Sequence, residues 1–126
     1  REIEEAAQKD PKIFSPFTVV KRDKNKKLIS IDYHKEYRNL LMPISQITLK
    51  AAKLCDNKPF KKYLEILSEG LIMGKYEQID KAWLSVKDYP LDMTLGPYER
   101  YLDKLFFIKR SYQGSVSIVD KKNTEG

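Results

Sequence analysis

Within Gly96-Pro97-Tyr98-Glu99-Arg100-Tyr101-Leu102-Asp103, a carboxylate and a phenol stand two residues apart. Strand side chains alternate, so in an extended chain Glu99 and Tyr101 would face one side. Such a pair suits peptide recognition. The carboxylate can pair with a substrate ammonium group, and the phenol can donate to a carbonyl or to the oxyanion that develops from it. Ahead of them, Gly96-Pro97 predicts a break or turn at a strand end. The same spacing also fits a plainer arrangement, with Tyr98 and Tyr101 as core aromatics and Glu99 paired with a nearby Arg or Lys.

Little else in the chain could do chemistry. It has no His-Glu-x-x-His, no Cys-x-x-Cys, no glycine-rich phosphate loop and no Gly-x-Ser-x-Gly elbow. A protein zinc site needs three or four ligands, and the chain carries one histidine, His34, expected at the surface in the first turn of a helix. The lone cysteine, Cys55, cannot form an internal disulfide; it reads as a buried structural thiol and favours a reducing, cytoplasmic compartment. An independent, complete enzyme is not expected.

The formal charge is +6, from 24 basic and 18 acidic residues, which raises the question of nucleic acid. The lysines are spread along the chain, however. The one dense run, Lys21-Arg22-Asp23-Lys24-Asn25-Lys26-Lys27, lies between two apolar stretches and reads as a solvated hairpin tip. Neither nucleic acid nor membrane is expected as a partner. No stretch approaches the roughly 20 apolar residues of a spanning helix.

The elements that must position Glu99 and its neighbours are mostly helical. Residues 1–9 predict a helix ended by Asp10-Pro11, and residues 17–22 and 28–31 a small hairpin. Asp32 is the expected N-cap of a long helix over 33–54. Its apolar stripe is Tyr33, Tyr37, Leu40, Leu41, Ile44, Ile47, Thr48 and Ala51, with Pro43 kinking or splitting it. Asn57 and Pro59 restart a helix that buries Phe60, Tyr63, Leu64, Leu67 and Leu71 and closes at Gly74. A shorter helix over 77–86 would turn Ile79, Trp83 and Val86 inward. Leu91–Leu95 and Gly114–Asp120 then read as strands. The predicted class is mainly α with a small β component (α+β): a helical layer, an N-terminal hairpin and two short C-terminal strands. With 126 residues the chain suffices for one core, and both ends read as cuts in a longer polypeptide. It is therefore expected to be a single domain or a lobe fragment.

Ala82-Trp83-Leu84-Ser85-Val86, followed by Leu91 through Phe106, resembles the bacterial and plant relatives of dipeptidyl peptidase III, Nudix-associated hydrolases among them. In these a Trp-containing helix leads to a strand and then to Gly-Pro-Tyr-Glu-x-Tyr-x-Asp. Tyr33-His34-Lys35-Glu36-Tyr37 with Leu41-Met42-Pro43, and Pro16-Phe17-Thr18-Val19-Val20, resemble the family's preceding elements, so the likeness runs from Pro16 to Asp120.

The resemblance implies a zinc metallopeptidase. In it Glu99 binds the free amino terminus of a peptide substrate, Tyr101 stabilises the tetrahedral intermediate, and Tyr98 lies in the substrate site. Pro97-Tyr98 stand where the peptidase itself has apolar residues, which implies a different substrate preference. The family's His-Glu-x-x-(Gly-)His helix and its second Glu-bearing helix are expected beyond Gly126. This chain would then hold no cofactor itself, with zinc expected in the full-length protein. Its partners would be a peptide and the remaining lobe of the same polypeptide. Trp83, Tyr89 and Leu105-Phe106-Phe107-Ile108 would supply apolar surface toward that lobe. Two rival readings are a non-enzymatic helical interaction module using Tyr33, Tyr37 or Tyr63, and a nucleic-acid binder using the Lys21–Lys27 turn.

Overall fold

Apolar residues at helical spacing build the centre of the molecule, and two β-hairpins lean on it. The structure is a computed structural model that describes residues 1–100 and 108–118. In chain order come α1 (Glu2–Lys9), a 3-10 turn (Pro11–Phe14), β1 (Thr18–Arg22), β2 (Leu28–Asp32), α2 (Tyr33–Glu36), α3 (Arg38–Leu54), α4 (Lys58–Met73), α5 (Tyr76–Leu84), β3 (Leu91–Arg100) and β4 (Arg110–Ile118). β1 pairs with β2 and β3 with β4, both antiparallel. The α+β class is as predicted. No described helix is long and apolar enough to cross a membrane.

α4 is the axis of the core. Asn57 caps it, its Oδ1 accepting the Phe60 N–H at 3.0 Å, and Gly74 ends it in the left-handed region at φ 71°. Phe60, Tyr63, Leu64, Leu67 and Leu71 are all buried, as the spacing predicts, and Ile79 of α5 closes over them.

The long helix differs from expectation in two ways. It breaks at Tyr37, between α2 and α3, while Pro43 lies inside α3. With the break so near, Pro43 sits in the second turn of α3, so its missing N–H costs one bond close to a helix end. The buried side of α3 is Leu41, Thr48 and Ala52, whereas Leu40, Ile47 and Ala51 are exposed. Apolar residues ring much of this helix, so periodicity alone could not choose the side. The choice falls to α4, against which Ser45 and Ser68 hydrogen-bond at 2.8 Å. Asp32 stands at the N-cap position of α2 without a side-chain capping bond, and pairs with Lys12 and Lys35 instead.

The basic run is a built turn. Asp23 Oδ1 accepts the backbone N–H of Asn25 and of Lys27, and Lys26 adopts φ 65°. Two of its charges are already paired, Lys21 with Glu36 and Arg22 with Glu2. His34, expected at the surface, is half-buried against Gly74, where a Cβ would come within 2.4 Å of its Nδ1.

The C-terminal hairpin is fastened at both ends of β1–α2. Lys109 Nζ donates to the Ile13 carbonyl, the Ser15 carbonyl and Thr18 Oγ1 at 2.7, 2.6 and 2.8 Å. Arg110 N–H donates to the Pro16 carbonyl, and the Tyr33 hydroxyl donates to the Arg110 carbonyl. The Tyr63 hydroxyl ties α4 to the other strand by donating to the Met93 carbonyl.

Candidate functional site

β3 carries the residues singled out for chemistry, and it does not end where the sequence suggests. The strand runs through Gly96-Pro97 to Arg100. Pro97 pairs with Tyr112 and Glu99 with Ser111, leaving Tyr98 as the extra residue of a bulge. An edge strand tolerates proline because the missing N–H need not serve a neighbour, and the irregularity appears as the bulge rather than a turn.

The bulge resets the alternation. Directly paired residues share a face, so Asp92, Thr94, Gly96 and Glu99 fall on one side with Ser117, Ser115, Gln113 and Ser111. The Thr94 and Ser115 hydroxyls are 2.8 Å apart on that side. Met93, Leu95 and Tyr112 lie on the other and pack against the helical core. Glu99 therefore belongs to a polar sheet face. Among the described residues its half-buried carboxylate has no hydrogen-bond or ion-pair partner. The pairing of Glu99 with a nearby Arg or Lys, the plainer expectation, is not formed there.

Tyr98 goes elsewhere. Its ring lies over Gly96, where a Cβ would come within 2.7 Å of the ring. A glycine is required there because any side chain would displace the tyrosine. Burial and the neighbouring Asp80 carboxylate push the Tyr98 hydroxyl well above the ordinary tyrosine range. Burial also raises Tyr63 to about 12, with Asp92 and Asp80 adding to the effect. The same cause leads for Tyr112, whose hydroxyl is 3.3 Å from that of Tyr76. These phenols are held neutral. Tyr101, the third residue singled out, lies outside the described residues, as do Leu105, Phe106 and Phe107.

The remaining aromatic expectations divide. Trp83, expected inward, is 39% exposed, and its Nε1–H donates to Asp92 Oδ1 at 2.7 Å. Tyr89 stacks on Phe60 with centroids 4.7 Å apart. Cys55 is half-buried, its Sγ 3.7 Å from the Tyr89 hydroxyl. Tyr33 and Tyr63, proposed as an interaction surface, are buried. Sequence reasoning missed Asp80 and Asp92. The signal for Asp92 was present, since it is a polar position in the alternating Leu91–Leu95 strand nine residues after Trp83. Nothing local marks Asp80. Among the described residues no three His, Cys, Asp or Glu side chains converge on a metal position, so these residues do not fit a zinc centre.

No family model matches the chain. Two solved structures and one curated protein do. The structure of dipeptidyl peptidase III from Caldithrix abyssi superimposes with a TM-score of 0.88 at 31% identity, over 97% of this chain and 24% of that one. The dipeptidyl-peptidase III of Corallococcus sp. strain EGB gives 0.86 at 24% identity, over 99% and 24%. The chain shares its fold with one segment of dipeptidyl peptidase III. Nudix hydrolase 3 of Arabidopsis thaliana is 36% identical over 102 residues, 81% of this chain and 13% of that protein. The chain thus spans about a quarter of the length of the solved relatives and less of the curated one.

Proposed function

We propose that this chain forms one wall of the substrate cleft of a zinc-dependent, dipeptidyl peptidase III-like peptidase. The observation that carries the reading is the Glu99 carboxylate. It sits at a bulge on the polar face of β3, without a partner among the described residues, in a chain whose fold matches a quarter of such peptidases. A carboxylate on a rigid strand is suited to hold the ammonium group of a peptide's free amino terminus. Tyr101 would donate to the oxyanion of the scissile carbonyl. Tyr98 would shape the site beside them, its ring fixed over Gly96.

The zinc belongs, in this reading, to the remaining lobe of the same polypeptide. The chain by itself neither binds catalytic zinc nor cleaves peptides. Its own contribution is to bind and orient: Glu99 sets which end of the peptide enters, and the polar sheet face accepts the backbone.

The test uses the longer polypeptide that contains this sequence, with its metal content measured. It should release dipeptides from peptides with a free amino terminus and ignore the same peptides when N-acetylated. Glu99→Gln should raise KM, and Tyr101→Phe should lower kcat with KM nearly unchanged. Equal turnover of blocked and free peptides, or wild-type kinetics in both variants, would sink the assignment.

A further inference from the structure

Between α4, α5 and β3 lies a cavity of about 360 Å³ that shares Tyr98 and the Thr94–Gln113 edge with the peptidase reading, while its Asp80 and Trp83 have no role in that reading. Its walls include Tyr63, Trp83 and Tyr98, and its polar lining is Asp80, Thr94 and Gln113. We propose that this cavity binds an organic cation, a guanidinium or alkylammonium group, between the aromatic rings and the Asp80 carboxylate. The proposal does not rest on Glu99 or on peptide hydrolysis.

Three observations carry it. First, the rings are held in place before any ligand arrives. The Trp83 indole is anchored through Nε1–H to Asp92, Tyr63 through its hydroxyl to the Met93 carbonyl, and Tyr98 lies over Gly96. Second, the cavity carries negative charge: Asp80 lines it beside the Tyr98 hydroxyl, and Asp92 holds the indole of Trp83 at its wall. No Lys or Arg among the described residues lines it, and neither Asp80 nor Asp92 has an ion-pair partner there. The field of these two carboxylates is felt at the Tyr63 hydroxyl. Third, the cavity is open to solvent on the side of Trp83 and the exposed Asp80. A cation over an aromatic face is attracted by the ring quadrupole, most strongly for tryptophan, and a guanidinium also stacks flat and offers a carboxylate two parallel donors. An anion would meet like charge, and a neutral apolar ligand would leave Asp80 to water.

Trp83 is the only tryptophan of the chain and borders both this cavity and a neighbouring one beside Phe60 and Tyr89, so its fluorescence reports binding at either, and Asp80, which lines only the first, tells them apart. The 126-residue chain is titrated with N-acetylarginine amide, with agmatine, and with N-acetylcitrulline amide, which keeps the shape but lacks the charge. A saturable change with the two guanidinium probes and none with the citrulline compound is expected. Stronger binding of the arginine amide assigns the site to a basic peptide side chain, and stronger binding of agmatine to a free amine; both uphold the cation site. Asp80→Asn should weaken binding roughly fivefold, the scale of one exposed charge contact, while Glu99→Gln should leave it unchanged. No response to either cation, an equal response to citrulline, or undiminished binding by Asp80→Asn would overturn the proposal.

Discussion

The α4 core and the β3–β4 hairpin spend their residues in opposite ways. Along α4, Tyr63, Leu67 and Leu71 are 1%, 0% and 0% exposed, and every polar atom they bring has a partner. Along the hairpin, Val116 and Ile118 are 68% and 79% exposed, and the Glu99 carboxylate has no partner among the described residues. One region stabilises by exclusion of water. The other packs Met93, Leu95 and Tyr112 on the core, is fastened through Lys109, Tyr33 and Tyr63, and leaves the Glu99 carboxylate of its polar face unpaired among the described residues. The difference teaches where to look for function: at residues the fold orders but does not consume.

The comparison breaks most readily in the core. Leu67→Ala removes a fully buried side chain from α4 and should cost about 3 kcal/mol, measured as a lower urea midpoint with unchanged slope. A loss below 1 kcal/mol would mean the core is looser than it looks. Alkali should come next. Tyr63 is held at about 12 against an ordinary value of 10.0, and Tyr98 and Tyr112 are raised further. Above pH 10 the unfolded chain therefore gives up protons that the folded chain keeps. Stability from these groups is complete below pH 10 and falls as pH rises through 12. Absorbance of tyrosinate against pH should show a late-titrating class that merges with the early class in urea; a single class in native protein would contradict the burial.

Smaller effects sharpen the contrast at the junction. Tyr63→Phe keeps the ring but leaves the Met93 carbonyl without its donor, for a loss of about 1 to 2 kcal/mol. Faster amide exchange should appear in β3 ahead of α3. Glu99→Gln is expected to change stability by less than about 0.5 kcal/mol, as at surface positions outside packing networks. A large loss of stability there would make Glu99 a structural residue after all.

Much of this was legible in the residues. The α4 stripe, its Asn57 cap and its Gly74 terminus depend on contacts within four residues, so local pattern sufficed. The β1–β2 turn was legible for the same reason. The peptide-recognition reading of Glu99 came from residue type and from resemblance, not from geometry. What escaped was set by partners distant in sequence. Pro43 inside α3, the exposure of Leu40 and Ile47, and the packing of His34 on Gly74 all depend on which neighbour arrives.

By itself, then, the sequence determined the α+β class, the core face of α4 and the short list of chemical groups, because periodicity and capping act over one or two turns. Only the tertiary structure decided that β3 continues through Gly96-Pro97, and that its bulge separates Glu99 from Tyr98. Only there do Asp80 and Trp83 meet Tyr98 across more than a dozen residues. Strand pairing and helix docking join groups that no local pattern relates, and a single bulged residue reverses every assignment of face that follows it.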